Sequence, residues 1–210
     1  MWTGVGIIAG GLITIVVALA VEWVKRPRLA VEVAGSASDP RWEILHVKVI
    51  NKPVGGWWGR LLLRTDARGC RVQMRFAQRG VTGPPLQMLP QMPGRWSATP
   101  QPLTIVPDRQ GHLTVVFDIN RVPQTQRFDL QPDDAGEAVA VAIKHGDDKK
   151  CYAFNSESDS AWAERLDFRH PRFELGTGQF DVTVTATVGG IKPTTERFLL
   201  TCDSTGFFLK

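Results

Sequence analysis

What this sequence has little of narrows its chemistry first. Among 210 residues only Cys70, Cys151 and Cys202 are cysteines. Three scattered thiols make no disulfide framework, and an odd count leaves one unpaired within the chain, which fits a reducing compartment better than an oxidising one. Neither Cys-x-x-Cys nor Asn-x-Ser/Thr occurs, so a zinc knuckle and N-glycosylation are not indicated. His46, His112, His145 and His170 stand apart from one another, and His-x-x-x-His, His-Glu-x-x-His and Gly-x-Ser-x-Gly are all missing. Asp133-Asp134 and Asp147-Asp148 lack the spacing of a calcium loop and read as solvated turns. No catalytic residue, metal ligand, cofactor or small-molecule substrate is therefore predicted. Tyrosine occurs once, at Tyr152, and no aromatic/basic interleaving of an RNA-binding sheet is visible. The net charge of +4 thus gives no reason to expect nucleic acid as a partner.

Long amphipathic helices are also scarce beyond residue 28, and no β-α-β rhythm appears. What is present is a chain that is 43% hydrophobic, with 7 Trp and 10 Phe, which excludes intrinsic disorder as the main description. Its 20 Gly and 14 Pro point to many turns.

The one long apolar run is at the start. Residues 4–24 carry a single charge, Glu22, and are bracketed by Trp2 and Trp23. As a helix they would extend roughly 31 Å at about 1.5 Å per residue, near the hydrocarbon thickness of a bilayer. Lys25, Arg26 and Arg28 follow at once as a basic collar. Ala18-Leu19-Ala20 has the form of a cleavage site, but no Lys or Arg precedes the run. The expectation is an uncleaved single-pass anchor over residues 1–28, with Trp2, Trp23, Lys25, Arg26 and Arg28 at the membrane interface. The positive-inside rule then places the N-terminus outside and the rest at the cytoplasmic face of the inner membrane. Gly6 and Gly10 form a Gly-x-x-x-Gly step suited to close helix packing.

Residues 29–210 alternate apolar and polar side chains. Strands are expected over residues 29–33, 42–51, 70–76, 113–119, 138–144, 149–154, 179–188 and 196–202, with an edge strand over 206–209. One short helix is expected over 160–166, with Asp159 as its N-cap. Short strands separated by Gly/Pro/Asp-rich turns imply a two-layer antiparallel sandwich. The fold class expected is mainly β: an N-terminal transmembrane helix followed by an immunoglobulin-like antiparallel β-sandwich with a Pro-rich loop over 80–102. In that loop Pro90-Gln91-Met92-Pro93 is a Pro-x-x-Pro match, and Arg95-Trp96 is expected to pin the loop back onto the sandwich.

The order of features — Lys25-Arg26-Pro27-Arg28-Leu29, then Val49-Ile50-Asn51, Gly94-Arg95-Trp96 and a late Gly178-Gln179-Phe180-Asp181-Val182 strand — resembles uncharacterised bacterial single-pass membrane-anchored proteins with an immunoglobulin-like domain. The resemblance is architectural. It implies the anchor and the sandwich, and no activity comes with it.

Charge is segregated along the chain. Residues 60–79 hold Arg60, Arg64, Arg68, Arg71, Arg75 and Arg79 against Asp66, while residues 129–167 hold ten acids against four bases. Either the two segments face one another, or Arg60, Arg64, Arg68, Arg71 and Arg75, with the Trp57-Trp58 pair, form a surface for anions or a partner. Together these features lead to the expectation of a membrane-anchored, non-enzymatic interaction module whose partners are the lipid bilayer and a protein. The alternative is an accessory subunit docked into a larger membrane complex through its helix.

Overall fold

Alternation decides the architecture. The computed structural model describes residues 2–80, 91–132, 134–146, 148–165, 167–204 and 206–210, with side chains described at all of these except 2–10, 58 and 60. A helix, α1 (Trp2–Lys25), leads into β1 (Leu29–Asp39), β2 (Trp42–Asn51), β3 (Ala67–Gln78), β4 (Met92–Pro93) and β5 (Arg95–Trp96). There follow β6 (Leu103–Pro107), β7 (Leu113–Phe117), α2 (Val122–Thr125), β8 (Phe128–Leu130), β9 (Glu137–His145) and β10 (Cys151–Ala153). The chain ends with α3 (Ser158–Arg165), β11 (Glu174–Gly176), β12 (Gly178–Thr187), β13 (Thr194–Asp203) and β14 (Gly206–Leu209).

The strands form two antiparallel sheets. In the first the order is β1-β2-β9-β10-β11, with β5 also on β9; in the second it is β14-β13-β12-β3-β4, with β8 also on β3. β6 and β7 make a separate hairpin. One core lies between the sheets. Val31, Leu45, Val47, Val49, Val139 and Val141 enter it from the first; Val72, Met74, Phe76, Val182, Val184 and Leu200 enter it from the second. The period of two sends alternate side chains to one face, and burying each of these is worth about 1.5–3 kcal/mol. A smaller apolar cluster on the outer face of the first sheet joins Ile44, Ala140, Ile143, Tyr152, Phe154 and Phe168, with Trp42 and Trp162 packed against it.

The chain passes from the second sheet to the first at Gly94, between β4 on β3 and β5 on β9. A Cβ there would lie 2.9 Å from Val139 Cγ1 and 3.1 Å from Val72 Cβ. Glycine lets the backbone cross through the core. Gly94→Ala is expected to lower stability by about 1–3 kcal/mol through overpacking, read as a drop in the urea midpoint with the slope unchanged.

The expected transmembrane segment is corrected. The protein is mainly β with antiparallel sheets, but among the described residues no helix is long and apolar enough to cross a membrane. Helix α1 covers Trp2–Lys25, with side chains described from Gly11. Its last turns also carry Glu22 and Lys25. The membrane and single-pass readings therefore have no spanning helix to rest on. Gly6, Gly10 and the Trp2 side chain lie outside the described side chains.

Two local readings also change. Strand β1 runs on to Asp39 instead of stopping at residue 33, through an irregularity between Val33 and Gly35, where Gly35 has φ +95°. Helix α3 begins at Ser158, so Asp159 sits inside its first turn and not at the cap.

Candidate functional site

In β3 the arginines alternate with core residues, so the pleat that buries Val72, Met74 and Phe76 turns Arg71, Gln73 and Arg75 outward. Pairing then builds rows across the second sheet. Arg75, Thr183 and Arg197 stand in one row over β3, β12 and β13, and Ala77, Asp181 and Leu199 in the next. Lys210 lies beside Leu199, with Leu199 N donating to Lys210 O at 2.7 Å and Lys210 N to Leu199 O at 3.0 Å. Adjacent strands are about 4.8 Å apart, so the backbones at Arg75 and Arg197 are roughly 10 Å apart with a threonine between them.

These rows line an open groove of about 550 Å³ that includes Arg75, Arg79, Arg197 and Lys210, with Phe198 and Leu199 also in its lining. Arg79 Nε donates to Asp181 Oδ1 at 2.8 Å. Lys210 Nζ lies 4.7 Å from the centroid of the Phe208 ring. Four cations thus share the groove with one carboxylate. Guanidinium forks match carboxylate and phosphate oxygens two at a time, so the groove favours anions.

The other arginines and tryptophans singled out in the sequence go elsewhere. Arg71 is exposed on the same face, further along β3. Arg64 is buried: its Nη1 donates to Arg26 O at 2.6 Å and its Nη2 to Pro53 O at 3.4 Å. Burial, with Arg28 nearby, lowers its pKa. It is a structural tie at the end of α1, reinforced by Thr65 N and Oγ1 donating to Lys25 O at 2.8 and 2.9 Å. Arg68 stands 3.7 Å from Asp66 at the surface. Trp57 lies in a 3-10 turn and is 60% exposed; the Trp58 and Arg60 side chains are outside the described ones. In the basic collar, Arg28 lies 5.3 Å over the exposed Trp23 ring. Trp23, Arg26 and Arg28 are exposed and Lys25 is half-buried around the junction of α1 with β1.

Three described acids of the acidic segment pair with bases outside residues 60–79. Asp148 pairs with Arg169 at 2.8 Å, Glu157 with Arg172 at 3.2 Å, and Asp159 with Arg95 at 2.8 Å. Asp129 reaches the basic segment, but by accepting from the backbone of Gly69 at 2.6 Å. Strand β3 and the acid-rich β9–α3 region belong to different sheets, so the charge separation in sequence becomes a charge separation in space.

Burial pushes the Cys70 thiol up to about 12. Cys151 and Cys202 meet between the two sheets; the hydrogen bond from the Cys151 thiol to the Cys202 sulfur, together with burial, raises Cys151, while the same bond lowers Cys202. Cys70 and Cys151 are therefore protonated at neutral pH and poor nucleophiles. The Cys151–Cys202 contact was invisible in sequence: each cysteine pairs with a glycine flanking Thr177, Cys151 with Gly176 and Cys202 with Gly178. Burial lowers the pKa of His46 and of His170, which keeps both rings neutral. Among the described residues no three His, Cys, Asp or Glu side chains group to hold a metal ion.

Arg197 and Lys210 completed the groove without any sequence signal, because register alone brings them to Arg75. The chain matches no protein-family model, no curated protein and no solved structure, so the architectural resemblance noted in the sequence has no matched relative behind it.

Proposed function

We propose that the protein is a non-enzymatic interaction module whose second sheet holds an acidic, partly apolar segment of a protein partner. The observation that carries this is the row of Arg75, Thr183 and Arg197. It places two guanidinium side chains in one row of a groove whose lining includes one carboxylate, Asp181, paired with Arg79. Such a local excess of positive charge attracts an anionic partner. A concave site with Phe198 and Leu199 in its lining fits an extended peptide better than the flat, wet surface of lipid headgroups.

The test uses a fluorescent dodecapeptide of alternating Glu and Val, with phosphatidylglycerol vesicles as a second arm. The peptide is expected to bind the full chain and to weaken roughly tenfold or more as salt rises from ~0.05 M to ~0.5 M, because exposed charges are screened. Arg75→Glu with Arg197→Glu is expected to abolish binding, while Arg68→Glu, away from the groove, leaves it intact. Equal binding by the groove variant, or binding to vesicles and not to peptide, overturns the reading.

A further inference from the structure

Away from the basic groove, two thiols meet where the sandwich closes. Cys151 opens β10 in the first sheet, and Cys202 lies near the end of β13 in the second. Both are fully buried and belong to one core cluster. The chain crosses from β11 to β12 through Thr177 alone, and each cysteine is the cross-strand partner of one flanking glycine. Gly176 and Gly178 add no side chain beside the thiols, which leaves the sulfurs facing each other across the core.

An open hollow of about 330 Å³ leads to this pair. Its lining includes Lys144 and Phe207. Lys144 is the cross-strand partner of Cys151, and Phe207 that of Cys202. Residues directly opposite on antiparallel strands project to the same side of the sheet, so the hollow lies beside both thiols. The backbone there is lightly tied. β10 has three residues, and its pairing with β11 slips between Cys151 and Tyr152. Short pairings of this kind open more readily than the long central ones. Cys70 is also fully buried, but neither it nor its partner Phe128 lines this hollow.

The two thiols are not equivalent. The hydrogen bond from Cys151 leaves Cys202 the more acidic of the two, and the nearby Lys144 ammonium favours its thiolate. The thiolate is the nucleophilic form, so Cys202 is the attacking sulfur.

We infer that Cys151 and Cys202 are a peroxide-sensitive modification site: hydrogen peroxide entering the hollow converts them to a disulfide that ties the first sheet to the second. The Cys202 thiolate attacks the O–O bond. An S–O bond forms, hydroxide departs, and the proton given up by Cys202 makes it water. Cys151 then yields its proton, and its sulfur attacks the sulfenic acid of Cys202. The S–S bond forms as the S–O bond breaks, and a second water leaves. Two thiols are oxidised and one peroxide is reduced. In a reducing compartment the pair rests as thiols, so the link is a reversible mark of oxidation.

The test treats the reduced full chain with hydrogen peroxide, blocks the remaining thiols under denaturing conditions and maps peptides by mass spectrometry. The expected product is an intramolecular Cys151–Cys202 link, with the chain lighter by two hydrogens, Cys70 still free, and dithiothreitol restoring the thiols. The oxidised chain is expected to melt roughly 5–15 °C higher, because the link restrains the unfolded chain. Cys151→Ser is expected to stop at the sulfenic acid of Cys202, trapped by dimedone, whereas Cys202→Ser slows the reaction roughly tenfold or more. If the pair stays reduced, is linked only between chains, or oxidises no faster than Cys70, the inference fails. Mapping on the unaltered chain decides this even where a serine variant does not fold. Arg75→Glu with Arg197→Glu is expected to oxidise normally, so this site and the basic groove fail separately.

Discussion

Asp159→Ala is expected to destabilise the protein by about 3–5 kcal/mol at neutral pH, the cost of leaving one member of a buried ion pair alone. Both partners are enclosed: the Arg95 side chain is 10% exposed and that of Asp159 not at all. Arg95 Nε is 2.8 Å from Asp159 Oδ2, yet the approach is poorly aligned, and neither carboxylate oxygen gains a sound hydrogen bond. Burial outweighs the attraction of Arg95, so the carboxyl is pushed up from 3.8 to about 6. The sign of the pH dependence follows. Between about pH 4 and 6 the folded state binds the proton more strongly than the unfolded chain, so stability falls as pH rises through that window. The loss from this group is about 3 kcal/mol, complete above pH 6. Asp159→Asn removes the titration. Urea unfolding of both proteins from pH 4 to 7.5 should show the stability of the Asn variant relative to the natural protein climbing across the window and then levelling. A constant difference would overturn the assignment. Replacing the pair together, Arg95→Met with Asp159→Leu, is expected to be neutral or to stabilise by about 1–4 kcal/mol. The pair therefore favours one position of α3 on the sheet more than it adds stability.

How much of this was legible beforehand depended on the range of the interaction. Strand β2 over Trp42–Asn51 and β14 over Gly206–Leu209 were read to the residue, and the inward set Cys70, Val72, Met74 and Phe76 is in the core. These follow from alternation, which is local. The two-residue strands β4 and β5, and β8 and β11 of three residues, were not read, because segments so short have no period and exist only through their partners. Of the groove, Arg75 was legible, whereas Arg64 looked equivalent to it and is buried. Spacing alone did not distinguish an arginine that faces solvent from one that ties a helix end to a loop. The apolar run at the start misled for a related reason: composition resembles a membrane span, but the described helix does not meet the length and apolarity of one.

Trp96→Ala is expected to cost about 3–5 kcal/mol, the range for deleting a fully buried aromatic and leaving a cavity. The indole is 0% exposed and lies 5.5 Å from the Phe128 ring. It shares strand β5 with Arg95, and the pleat divides their work. Arg95 pairs with Ala140 of the outer apolar cluster, while Trp96 pairs with Val139 of the core. One two-residue strand therefore fastens the segment after the Pro-rich loop to both faces of the first sheet. Such a strand has almost no backbone pairing to lose, so its side chains must hold it. Among the described residues the buried indole Nε1 has no hydrogen-bond partner. Trp96→Phe removes that unsatisfied donor along with some volume, and the two effects oppose each other, so its cost is expected to stay below about 1.5 kcal/mol. Chemical denaturation separates the cases. A loss in the Phe variant as large as in the Ala variant would mean that the indole nitrogen is engaged, and that packing is not what fixes this strand. If packing does fix it, amide exchange at Arg95 and Trp96 should accelerate in Trp96→Ala while β2 and β12 stay protected, because the strand opens before the sheets do.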